Sequence, residues 1–217
     1  MKKLLVFIML PALVLLAASS VSAFDFFWGR IHGTYAMTAT GTCLWAPDGF
    51  NPKFFSPNAY SSHFAAQGLW NFEPNGTGKA EVTQFGISAP PIVGAPTTTA
   101  GGAASVKYSF DFDYAMTHDG KITVWPRNLS ATFLTGPKTG ITYTVEPAAP
   151  IGSTATPEPI AYSGMVSTEW DHKTLIINSG NELQKYFFSD ETTCYGICNS
   201  GRVLIRVQGA YAPTGLR

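Results

Sequence analysis

The stretch Ser105–Trp125 constrains the fold more than any other part of the chain. Residues alternate faces along a β-strand, so Tyr108, Phe110, Phe112, Tyr114 and Met116 share one side. Lys107, Ser109, Asp111, Asp113 and Ala115 share the other. Asp119-Gly120 supplies the positive φ angles of a tight turn, and Ile122 and Val124 resume an apolar face beyond it. The stretch is a long antiparallel hairpin with one aromatic face and one wet face.

The same grammar recurs on both sides of the hairpin. Gly33–Trp45 reads as a first strand, bent at Gly41. Gln67–Glu73 and Lys79–Gly86 pair around the turn Pro74–Gly78. Pro126 kinks or ends the second arm of the central hairpin, and Leu129–Leu134 continues it. Shorter strands follow at Ile141–Val145, Tyr162–Trp170, Lys173–Asn178 and Leu183–Phe188, and the last is Arg202–Gly209. Ala46–His63, Ser88–Ala104 and Glu146–Pro159 are Pro-bearing connections, and both late cysteines fall in a loop before the last strand. No helix-length amphipathic pattern occurs after the first two dozen residues. The expected fold is all-β, a single antiparallel up-and-down β-barrel of about eight to ten strands, with a β-sandwich as the alternative.

The chain opens with Lys2-Lys3, an apolar run Leu4–Ala18 interrupted by Pro11, and the small-residue site Val21-Ser22-Ala23. This is the pattern of a cleaved signal peptide over residues 1–23, leaving 24–217 as one domain. The run is too short for a convincing membrane span, and no Cys follows the cleavage site to carry a lipid anchor. The expected location is periplasmic or secreted. Basic and acidic residues number 14 each, and two of the basic ones sit in the leader, so nothing marks a nucleic-acid or anionic-membrane surface.

In an oxidising compartment two of the three cysteines, Cys43, Cys194 and Cys198, should pair. Zinc would need four ligands, and no second Cys or His pair matches the Cys194–Cys198 spacing, so no metal is expected. In a closed barrel with an even number of strands, the first and last strands are antiparallel neighbours. Gly33–Trp45 then ends where Arg202–Gly209 begins, which places Cys43 near the late cysteines. A bond across the seam from Cys43 to a late cysteine, Cys198 or else Cys194, is favoured; a local Cys194–Cys198 clamp is the competing arrangement.

Gly33-Thr34-Tyr35 on the first strand, Gly68-Leu69-Trp70 on the second and the last strand with Arg202 and Arg206 resemble a calycin layout. The Asn75-Gly76-Thr77-Gly78 hairpin and the segment Gly164–Leu175 are similar to secreted barrels related to allene oxide cyclase and dirigent proteins. The resemblance implies a closed, exported barrel. Lipocalins carry Trp where this chain has Tyr35, and no catalytic residue carries over.

His118-Asp119, Asp171-His172, Asp111 and Asp113 are read as turn residues and a solvated strand face rather than metal ligands. There is no nucleophile elbow and no phosphate-cradling loop. Tyr108, Phe110, Phe112, Tyr114 and Trp70, with Phe72 and Phe85, are expected to fill the interior or line a cavity in it. Ala46–His63 and Ser88–Ala104 leave from one end while Asn75-Gly76 and Asp119-Gly120 close the other, so Phe50, Phe54 and Phe55 are placed as a lid. The expected function is an exported, non-catalytic protein that binds an apolar small molecule in the barrel, without a cofactor. An isomerase or cyclase acting by shape and desolvation, and a structural or surface-interaction protein with a packed core, are the alternatives.

Overall fold

A computed structural model of the chain describes residues 31–51, 58–88, 102–167 and 174–207. These residues form ten strands: β1 (Gly33–Ala46), β2 (Tyr60–Phe72), β3 (Thr77–Ser88), β4 (Ala103–Met116), β5 (Lys121–Phe133), β6 (Thr142–Pro147), β7 (Tyr162–Val166), β8 (Thr174–Ser179), β9 (Leu183–Phe188) and β10 (Thr193–Arg206). All pairings are antiparallel, and β1 pairs with both β2 and β10, so the sheet closes on itself. Closure leaves no bare edge between the first and last strands. The fold is a β-barrel, and the sandwich alternative falls away.

Ten strands occupy eight positions around the ring. β5 pairs with β7 through Lys121–Val124 and with β6 through Ser130–Thr132, so β6 and β7 lie end to end along it. β8 and β9 likewise lie end to end against β10. The segment 148–161 leaves the wall between β6 and β7, and at its start the Ala148 amide donates to Leu183 O (2.9 Å). The Ile151 amide then donates to Phe50 O (2.9 Å), beyond the end of β1. Pro126 sits in β5 where neither β6 nor β7 pairs with it. The register slips there by one residue, with Asn128 at a φ of 52°. A proline, which cannot donate, is tolerated at such a bulge, and Asn adopts a positive φ more readily than most residues.

The aromatic face read from Tyr108–Met116 points inward. Trp70, Phe72, Tyr35 and Phe112 are fully buried, and Tyr114 nearly so. Their rings pack edge-on or tilted, with centroids 5.3 Å apart for Tyr35–Phe72, 5.0 Å for Phe72–Phe112 and 5.2 Å for Phe72–Tyr114. Each such pair contributes about 0.5–1.5 kcal/mol beyond the area it buries. Tyr114 Oη lies 2.6 Å from Ile31 O and 2.7 Å from Glu73 O, which ties the hydroxyl into the closed end. Gly78, opposite Phe112, leaves no room for a Cβ beneath that ring. A side chain there would evict part of the floor.

Two strand boundaries and the facing of one aromatic residue differ from the sequence reading. β2 begins at Tyr60 rather than Gln67, because Ser61–Ala66 alternates small polar and apolar residues too weakly to announce a strand. β10 begins at Thr193, so Cys194 and Cys198 lie in the strand and not in a loop before it. Phe85 is outward and half-exposed: it shares a face with Lys79 and Glu81, while Gln84 and Val82 face in. The expected turn at Asp171-His172 and the leader lie outside the described residues.

Candidate ligand-binding cavity

Above the aromatic floor the interior is not filled. An inner chamber of about 80 Å³ is bounded below by Trp70 and Phe110 and flanked by Phe64, Tyr162 and Arg202. An outer chamber of about 140 Å³ lies toward the end where the 46–60 and 88–103 connections leave, against Tyr60, Phe133, Lys138 and Phe188. Trp45, Gln84, Tyr108 and Tyr186 line both chambers and form the waist between them. Gly41 opposes Phe64 and makes space for its ring inside the wall.

Cys43 and Cys198 face each other across β1 and β10 and are joined by a disulfide, with Cα atoms 4.1 Å apart. The bond lies on the inward face and lines the inner chamber. Cys194 is an unpaired, buried thiol at the outer chamber, whose Sγ donates to Tyr195 O (3.5 Å). The waist is polar: Tyr143 Oη donates to Tyr108 Oη (2.7 Å), Tyr186 Oη to Gln184 Oε1 (2.8 Å), and Trp45 Nε1 to Ser62 Oγ (2.8 Å). At the rim Lys138 pairs with Asp190 (2.7 Å) and lies 4.5 Å from the centre of the Phe188 ring.

Burial raises the pKa of the tyrosines and the free thiol on this surface. It pushes Tyr108 up to about 12 and Cys194 up to about 11. Tyr60, Tyr143, Tyr162 and Tyr186 are moved upward by the same cause. Near neutral pH these groups hold their protons and act as hydrogen-bonding partners, not as bases. Burial moves Arg202 in the opposite direction, below its ordinary value, against the favourable influence of Tyr162 and Tyr108. Its guanidinium carbon lies 4.1 Å from the centre of the Tyr162 ring.

The residues singled out from the sequence divide by height in the barrel. Tyr108 lines both chambers, and Phe110 and Trp70 line the inner one. Phe112 and Tyr114 lie beneath, in the packed floor, and line neither. Phe50 is half-buried beyond β1 and is not among the lining residues; Phe54 and Phe55 fall outside the described residues. Asp111 and Asp113 are on the outer face, where Asp113 pairs with Arg127 (3.0 Å) and Asp111 accepts from Asn128 Nδ2 (3.2 Å). Among the described residues no three His, Cys, Asp or Glu converge on a metal position.

No family model and no curated protein matches the chain. Among solved structures, the enduracididine biosynthesis enzyme MppR complexed with pyruvate is 9% identical, with 82% of this chain and 90% of that one covered and a TM-score of 0.21. An acetoacetate decarboxylase-like enzyme from Sphingomonas wittichii RW1 is 10% identical, with 82% and 94% covered and a TM-score of 0.12. Overlaps this poor transfer neither fold nor chemistry.

Proposed function

We propose that the protein is an exported, non-catalytic binding protein that takes a small, largely apolar molecule into the upper half of the barrel. The observation that carries this reading is the pair of adjoining chambers, about 80 and 140 Å³, walled by aromatic residues above a packed floor. An apolar cavity of ~150 Å³ accommodates a benzene-sized molecule, so the two chambers suit roughly one ring with a short chain. The tyrosines and the thiol supply orientation without a base near neutrality, which favours binding over acid–base turnover. Export is supported by the leader pattern of residues 1–23 and by the disulfide, since such bonds are rare in reducing compartments.

The test is mass spectrometry of organic extracts from the protein purified out of its own compartment. A co-purifying molecule of that size, in near-equimolar amount and absent from the denatured and washed protein, is the expected result. An extract without one, together with no uptake of small aromatic probes, removes the reading in favour of a structural role.

A further inference from the structure

We infer that the ligand carries a carboxylate at its inner end and that Arg202 receives it; this rests on the binding reading above. Arg202 is on β10, facing the inner chamber. Its Nη1 is buried and makes no hydrogen bond. Among the described residues the ion pairs are Lys107–Glu81, Lys121–Asp119, Arg127–Asp113 and Lys138–Asp190, so none of the described carboxylates pairs with it. Glu182 influences Tyr162 electrostatically, yet it forms no ion pair with the guanidinium and does not line the chamber. A guanidinium cannot escape the cost of burial by losing its proton, as a lysine or histidine can. A guanidinium nitrogen held from water without a hydrogen bond is costly enough that a partner is expected when the protein works.

A second donor points to the same kind of partner. Trp70 Nε1 is also buried without a hydrogen bond, and Trp70 lines the same chamber. Its ring lies 6.3 Å from that of Tyr162, the ring on which Arg202 stacks. Both residues of the chamber wall that carry a buried polar atom without a hydrogen bond thus offer a donor, and the group that would complement them is an acceptor. The planar fork of a guanidinium matches a carboxylate in two parallel hydrogen bonds. The aromatic walls and the outer chamber take the apolar remainder.

The experiment is calorimetric titration of the purified full chain with 3-phenylpropanoate and with 3-phenylpropan-1-ol, which share a skeleton and differ in the head group. The acid is expected to bind on the order of tenfold to a hundredfold more tightly, the range of a charge-assisted hydrogen bond. In Arg202→Met the preference disappears while the alcohol still binds; Arg202→Lys keeps part of it. Equal binding of acid and alcohol by the unaltered chain overturns the carboxylate and leaves the apolar reading standing. Failure of both probes overturns that reading, and the inference with it. A preference that persists in Arg202→Met assigns the head group elsewhere and overturns the role of Arg202. The comparison on the unaltered chain decides the carboxylate, and Arg202→Lys, which keeps the charge but not the planar fork, tests the role of Arg202 where Arg202→Met does not fold.

Discussion

Cys198 and Arg202 stand four residues apart on one face of β10, so the disulfide that staples the barrel seam also fixes the guanidinium inside it. Cys43 faces inward on β1, its partner must do the same, and the two-residue period carries that orientation from Cys198 through Ser200 to Arg202. Val203 and Ile205 are consequently turned out, 41% and 58% exposed. A charged residue faces the core and two apolar ones face solvent, the reverse of the usual pattern.

Arg202→Met should raise the stability of the unliganded protein. A guanidinium with a buried, unsatisfied nitrogen is exchanged for a thioether of similar length, which removes a desolvation cost of about 1–3 kcal/mol. Loss of stacking on Tyr162 offsets part of this gain, worth about 0.5–2 kcal/mol. Thermal unfolding without ligand measures the balance. A lower melting temperature for the variant would mean that the guanidinium is already satisfied.

Phe112→Ala should cost about 3–5 kcal/mol of folding stability, because Phe112 is fully buried in the floor among Trp70, Phe72 and Phe110. Urea unfolding reads this directly. A loss below about 1 kcal/mol would show that the floor is loosely packed.

That aromatic face was the most legible part of the chain, since alternating Tyr and Phe over Tyr108–Tyr114 can satisfy burial only as a strand. The ends of the barrel were legible too, because Asn75-Gly76 and Asp119-Gly120 permit no long connection there. Height within the barrel was not: parity assigns Phe110 and Phe112 to one face but is silent on which meets empty space. Arg202 was hidden by its neighbours, for Val203 and Ile205 offer a more apolar face than Arg202 and Arg206. Only the pairing of Cys198 with Cys43 sets the register. The split wall positions β6/β7 and β8/β9 were visible as short strands, but nothing local shows that they lie end to end.

One thiol, Cys194, should be titratable in the denatured, unreduced protein, and it should resist alkylation in the folded state near neutral pH. Burial and a pKa pushed up to about 11 both suppress the thiolate. Replacing Cys43 and Cys198 together by Ser opens a link of 155 residues in sequence. The chain-entropy model sets the loss at no more than on the order of 5 kcal/mol. Three reactive thiols in the denatured protein would contradict the seam.

Stability should fall as pH rises above about 9 to 10. Cys194 and Tyr108 hold their protons in the folded state beyond their ordinary values of 9.0 and 10.0, to about 11 and about 12, and the other buried tyrosines shift the same way. In that window the folded chain binds more protons than the unfolded one, so alkali favours unfolding. Melting temperatures from neutral to alkaline pH, with tyrosinate absorbance followed in parallel, test this. Reversible ionisation of all tyrosines at ordinary values in the folded protein would contradict it.

The most direct measurement is a crystal structure of the protein with 3-(4-bromophenyl)propan-1-ol, a neutral probe whose binding does not depend on Arg202, located by anomalous scattering from bromine. The expected result is a bromine site in the space between Trp45, Tyr108 and Phe110, with the floor of Trp70, Phe72 and Phe112 unmoved. A barrel interior that excludes the probe, with bromine found only on the outer surface or nowhere, would contradict the account.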